Sequence, residues 1–211
     1  MDGRALSGRR AEAQRNDAVI LAAARAVFVA NPDAPVSAVA ERAGVGISSL
    51  YRRYASKEEL LRKLCSDGLQ QYVDIAREAV EDESSDPWDA FARFMRRIVE
   101  ADTHTLTINL AGRFTPTEKE HSNASLADEL NQRLVARGQA AGVLRDDITA
   151  DDLTYVFEQV AGLHGATRER TAELRARYLT LHLDALQAPG RTPLPGPAPT
   201  SQEQRRRWEP S

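Results

Sequence analysis

Val36-Ser37-Ala38-Val39-Ala40-Glu41-Arg42-Ala43-Gly44-Val45-Gly46-Ile47-Ser48-Ser49-Leu50-Tyr51-Arg52-Arg53-Tyr54-Ala55-Ser56-Lys57-Glu58-Glu59-Leu60 is the stretch on which the fold turns. Val36, Val39, Ala40 and Ala43 recur at three-and-four spacing over little more than two turns, the mark of a short amphipathic helix. Gly44 ends it, because a residue without a side chain readily enters the left-handed conformation of a helix exit. After Val45 and Gly46, a second brief helical segment of about 47–53 has Leu50 as its apolar anchor. Two short helices joined by a glycine-bearing turn make a helix-turn-helix, whose second, polar helix fits a DNA major groove about 12 Å wide. Val36, Val39, Ala40, Val45 and Leu50 hold the pair together, which leaves Gly46, Ile47, Ser48, Ser49 and Tyr51 toward the groove.

Working outward, Ile20, Ala23, Ala24, Val27 and Phe28 predict a helix of about 16–29, stopped by Asn31-Pro32. Residues 1–14 are polar, with Arg9 and Arg10, and are expected to form a flexible basic arm. Downstream, Ser56 and Glu59 make a capping box for a long helix of about 57–81. Ser84-Ser85-Asp86-Pro87 breaks it, and further helices are expected at about 87–101, 103–112, 124–141, 150–166 and 169–187. From Ala188 on, the prolines at 189, 193, 195 and 197 predict a disordered tail. No strand alternation and no internal repeat is evident, so the fold class is all-α with about nine helices. Four regions follow: an arm (1–14), a three-helix DNA-binding domain (15–56), a helical effector-binding and dimerisation domain (57–187), and the tail (188–211).

The net charge of −3 hides a division along the chain: residues 1–65 hold 11 Lys+Arg against 7 Asp+Glu, and residues 66–211 hold 17 against 24. Any contact with phosphate therefore belongs near the start. Cys65, the single cysteine, sits at helical spacing from Leu61 and Leu69 and reads as packing. No apolar run approaches the roughly 20 residues of a membrane span, and the polar N-terminus does not lead into a signal-peptide core, so a cytoplasmic protein is expected. No nucleophile with its base, phosphate loop or metal-ligand spacing is convincing, and neither an enzyme nor a cofactor is expected. Glu118, Glu120 and His121 read as a solvated loop rather than a metal site. Asp146, Asp147, Asp151 and Asp152 around Thr149 read as helix caps.

Residues Ala40 to Leu60 closely resemble the recognition region of the TetR family of transcriptional regulators, and the resemblance extends over about 15–65. It implies that Tyr51, Tyr54 and Lys57 contact DNA phosphates or brace the recognition helix. Lys57 has a physical argument of its own. A cation at a helix N-terminus opposes the macrodipole unless an anion joins both, and only three lysines stand against 25 arginines in the chain. Gly46 stands where the family usually has serine, and Ile47 where a polar or basic residue is common, which makes Ile47 a candidate for a thymine methyl. Asp33-Ala34-Pro35 replaces the common threonine cap, with Asp33 as the substitute. Ser37 and Arg52 complete the DNA-contact set.

The resemblance further implies a homodimer paired through the last two helices, double-stranded operator DNA with two-fold symmetry as partner, and a small-molecule effector that relieves repression. Tyr72, Phe91, Phe94, Met95, Ile98, Leu110, Phe114, Phe157 and His164 are the candidate pocket walls. The rival reading is a dimeric ligand-binding or interaction module that has lost operator binding, prompted by Gly46 and Ile47.

Overall fold

The computed structural model describes the backbone of residues 3–110, 113–189 and 192–206, with side chains in those ranges except at 3–14, 107–109 and 204–205. The fold is all-α, and ten helices occur among the described residues. The chain divides into two compact units, residues 1–65 and 66–211.

In the first unit, α1 (Gly3–Ala30), α2 (Val36–Ala43), α3 (Ile47–Arg53) and the first turns of α4 (Lys57–Glu81) enclose Ile20, Ala24, Phe28, Val39, Leu50 and Leu60. The exit of α2 follows from Gly44, which adopts φ 67°. Val45 N–H then donates to Ala40 O at 3.0 Å and Gly44 N–H to Glu41 O at 3.1 Å, the paired bonds of a Schellman turn. That tight turn sets the direction of α3, which needs only Leu50, 1% exposed, to anchor it. The expected arm is corrected: the chain is helical from Gly3. Ala5, Ala11, Glu12, Ala13 and Gln14 are strong helix formers and no proline interrupts them, so α1 extends backwards past its apolar face. Residues 1–2 lie outside the described residues.

The second unit contains the remainder of α4, then α5 (Pro87–Ala101), α6 (Thr103–Leu110), α7 (Glu118–Ala140), α8 (Ala150–Ala161), α9 (Arg168–Leu186) and α10 (Ser201–Arg205). Asp86 caps α5 by accepting from Trp88 N–H, and Pro87 occupies the first helical position, where its missing donor costs nothing. Phe91, Phe94, Met95 and Ile98 of α5 form the centre of a core completed by Tyr72, Leu130, Leu134, Phe157 and Leu179.

Three local expectations are corrected in this unit. α7 begins at Glu118, because Thr117 and Glu120 form a capping box, so Glu118, Glu120 and His121 lie in its first turn rather than in a loop. α8 stops at Ala161 with Gly162 as its cap, instead of running to 166. The Pro-rich segment also has regular contacts. Leu144 and Gln187 form an antiparallel bridge, the Arg145 guanidinium donates to Thr192 O at 2.7 Å, and Leu194 N–H donates to the Asp147 carboxylate at 3.0 Å. A buried arginine needs acceptors, and carbonyls of a proline-rich chain, which have no ladder to join, supply them. Residues 207–211 lie outside the described residues. No helix among those described is long and apolar enough to cross a membrane.

Candidate nucleic-acid interface

The outer face of α3 is formed by Ile47, Ser48, Tyr51 and Arg52, all exposed, with Gly46 and Ser49 beside them. Ile47 is 40% and Tyr51 48% exposed. Ser37 of α2 is exposed as well. No acidic residue occurs in α3, and Arg52 and Arg53 occupy its last turn. The arrangement is a short, cationic, acid-free ridge bearing small hydroxyls and two larger side chains. Such a ridge can approach a polyanion closely.

Tyr54 does not belong to that face. It is 5% exposed, and its hydroxyl donates to Asp17 Oδ1 at 2.6 Å, while Arg53 Nε donates to the same oxygen at 2.9 Å. Arg53's hydrogen bond holds the Asp17 carboxyl below the usual carboxylate range, and burial followed by the Asp17 contact pushes the Tyr54 phenol up. The end of α3 is thus tied to α1. Of the two roles expected for Tyr54, the bracing one matches its geometry, because its one polar atom is engaged inside the unit.

Lys57 is also engaged. Its ammonium donates to Pro32 O at 3.1 Å and Ala34 O at 2.8 Å, and lies 5.2 Å from the Phe28 ring centroid. It thereby fastens the α1–α2 connection, where Pro35 is the N-cap residue and offers no side-chain acceptor. Asp33, expected as that cap, instead has its own N–H bound by Asn31 Oδ1 at 3.0 Å. The macrodipole of α4 is matched by Glu58 and Glu59 in its first turn. Glu59 accepts from Ala55 N–H at 2.7 Å, and Ser56 Oγ accepts from Glu59 N–H at 3.1 Å.

In the second unit, the expected effector walls mostly pack on one another. Tyr72, Phe91, Phe94, Met95, Ile98 and Phe157 belong to one closed core, and Leu110 and Phe114 are buried too. Tyr72 and Phe94 meet edge to face with ring centroids 5.9 Å apart, and the Tyr72 hydroxyl donates to Asn131 Oδ1 at 2.8 Å. His164 is corrected: it is exposed in the α8–α9 connection, its ring nitrogen 2.8 Å from Gly162 O. The void at this core, bounded by Ile98, His104, Phe157, Val160 and Arg175, measures about 10 Å³, room for one water. A separate open groove of about 680 Å³ is bordered by Asp67, Gln70, Asp74, Glu78, Arg97 and Glu100 and includes none of the expected walls. No group of three His, Cys, Asp or Glu among the described residues is placed to hold a metal ion.

The family described as bacterial regulatory proteins of the tetR family matches residues 20–64, and the C-terminal domain described as that of SbtR-like transcriptional regulators matches residues 86–188. The chain belongs to the TetR family of transcriptional regulators. Among solved structures, the TetR transcription regulatory protein from Mycobacterium vanbaalenii is similar at 25% identity and a TM-score of 0.57, over 85% of this chain and 99% of that one. A TetR transcriptional regulator from Streptomyces coelicolor matches at 25% identity and a TM-score of 0.55, over 82% and 98%. LfrR from Mycobacterium smegmatis, solved with proflavine, shares the fold at 20% identity and a TM-score of 0.54, over 80% and 96%. The comparison with curated proteins returned no match.

In this TetR regulator Ile98 and Phe157, two of the expected walls, do border the void, whereas the polar groups beside it, Arg175, Asp102 and His104, were missed by sequence reasoning. Arg175, 8% exposed, donates from Nη1 to Asp102 Oδ1 at 2.7 Å, from Nη2 to Ala161 O at 2.7 Å and Thr105 Oγ1 at 3.2 Å, and from Nε to Leu163 O at 3.2 Å. Asp102 holds the left-handed turn between α5 and α6, at φ 52°, and also accepts from the Thr105 hydroxyl. His104 lies with its ring centroid 4.8 Å from that of Phe157, and burial pushes its pKa down to about 4. One signal was available: Arg175 falls in register with Leu179, Leu183 and Leu186, the buried stripe of α9. An arginine in an inward stripe needs several acceptors around it. Away from that stripe α9 exposes Tyr178, on its flank, at 43% and Leu181, on its far side, at 56%.

Proposed function

We propose that this TetR regulator is a homodimeric, cytoplasmic repressor whose α3 face enters the major groove of a two-fold symmetric operator and which a small-molecule effector releases. The observation that carries the reading is the acid-free outer face of α3, with Ile47, Ser48, Tyr51 and Arg52 exposed while the neighbouring polar groups of Arg53, Tyr54 and Lys57 are occupied in holding the helix in place. Tyr51 is the phosphate-contacting tyrosine, aided by Ser37 and Arg52. Gly46, Ile47, Ser48 and Ser49 meet base edges. Lys57 uses two of its three donors internally, and the third serves a phosphate.

Dimerisation is supported by Tyr178 and Leu181, exposed on the part of α9 that its buried stripe leaves free. A dimer presents two copies of α3 to half-sites about 34 Å apart or a multiple of that distance. The effector is a largely apolar compound with at least one polar group, accepted where the void lies between Phe157, His104 and Arg175. Since that void has room for no more than about one water, the liganded state is one in which this core has opened. Effector binding then lowers operator affinity by the difference in its affinity for the two states.

Selection of genomic fragments by the intact protein, followed by competition with small molecules, tests the reading. Enrichment of one palindromic element, lost on effector addition, is expected. Enrichment no better than random duplex replaces it with a ligand-binding module that does not bind DNA.

A further inference from the structure

At Gly46 the backbone has φ −66° and ψ 138°, a conformation open to every residue, and a Cβ built there meets no atom within 4 Å. Neither strain nor internal packing therefore requires glycine. A serine would also cap α3 better by a few tenths of a kcal/mol. What the missing side chain provides is empty space beside Ile47, the first residue of α3. Ile47 itself is 40% exposed and serves no core. Its neighbours in the first turn, Ser48 and Ser49, are short.

A base-reading helix usually carries a long hydrogen-bonding side chain in its first turn, such as arginine for guanine or asparagine for adenine. Here the first turn offers a branched hydrocarbon flanked by small groups, so a face that lies close against the groove floor presents apolar surface at one point. In the major groove the 5-methyl of thymine is the apolar group that projects from a base edge; cytosine C5–H and purine C8–H lie flush with the ring, and the hydrogen-bonding positions are donors or acceptors. A polar edge opposite Ile47 would lose its water without a partner.

We propose that Ile47 is a specificity-determining residue that reads the 5-methyl group of thymine at one fixed position in each operator half-site, with Gly46 giving it the clearance to do so. The assignment rests on the reading of α3 as the groove-entering helix. Burying one methyl is worth about a fourfold change in affinity per half-site, so about fifteenfold for a symmetric pair.

The test uses the intact protein and a duplex chosen from a random pool by that protein, with each thymine replaced in turn by deoxyuridine, which removes only the methyl. Wild type is expected to lose about fourfold at one thymine per half-site and to be indifferent at the others. Replacing that T·A pair by a pair of 5-methylcytosine with guanine, against the same pair with plain cytosine, separates the methyl from the rest of the base. The methylated pair should bind the more tightly. Ile47→Ala should bind the parent duplex more weakly and show no sensitivity to deoxyuridine, and Ile47→Val should keep most of it. Both variants alter an exposed side chain, and helicity and melting temperature unchanged from wild type confirm their folding. A selected duplex that shows no deoxyuridine-sensitive position, or one equally sensitive with Ile47→Ala, overturns the proposal while leaving operator binding intact. Failure to select any duplex overturns both.

Discussion

Two exposed apolar faces, one on α3 and one on α9, differ in their charged surroundings. Ile47 and Tyr51 stand on a seven-residue helix with no acid and two arginines in its last turn. Tyr178 and Leu181 stand on a 19-residue helix with both signs: Arg168, Glu169, Arg170, Glu173, Arg177 and Asp184. Apolar exposure alone says that something covers a surface, and the charge around it selects the partner. A single-sign cationic border suits a polyanion, whereas a mixed border on a long helix suits a second copy of the same helix, where opposite charges can be paired across a two-fold axis.

The largest effect tests whether α9 divides into a fold-bearing back and a partner-binding front. Arg175→Met removes the guanidinium that Asp102 and the carbonyls of Ala161 and Leu163 accept from and should cost about 3 kcal/mol, or roughly 10 °C in melting temperature. Unchanged melting with weaker self-association would invert the assignment. Leu181→Glu, on the front, should weaken dimerisation by about 100-fold in sedimentation experiments while helicity is retained.

A third effect lies in the second unit only and depends on pH. His104 is neutral in the folded chain, with its pKa pushed down by burial to about 4 from an ordinary value of 6.5. The unfolded chain binds the proton first as pH falls. Stability is therefore full above about 6.5, declines between 6.5 and 4, and declines no further from this group below 4. Between pH 7 and 5 the loss should be about 2 kcal/mol in denaturant titrations, and His104→Leu should flatten that interval.

On the α3 side the expected changes are smaller. Tyr51→Ala should weaken operator binding about tenfold without changing stability, and Lys57→Ala should bind with a salt dependence shallower by about one phosphate contact. Tyr54→Phe removes only the hydroxyl bond to Asp17. It should lower the stability of the first unit by about 1 kcal/mol in hydrogen-exchange measurements.

Helices whose apolar face repeats, such as α4 and α5, were legible in the sequence because the period that marks them also buries them. The start of α7 was not, since its first turn is held by the Thr117–Glu120 box in a stretch with no apolar repeat. The end of α8 at Ala161 was hidden because Leu163 and Ala166 continue the apolar pattern past the Gly162 cap. On α3, the face was readable from its local pattern, as Leu50 alone points inward. The inward placement of Tyr54 was not, because it depends on Asp17, which lies on a different helix. His104 and His164 look alike in sequence, and only the packing of α6 against α8 separates a half-buried ring from an exposed one.

Guanine N7 lies in the major groove, so methylation interference on a duplex selected by the intact protein is the most direct test of the central claim. The account predicts two dyad-related clusters of interfering guanines, about one helical turn apart or a multiple of it, and the same clusters with Tyr51→Ala only at about tenfold higher protein concentration. Binding insensitive to N7 methylation at every position would contradict it.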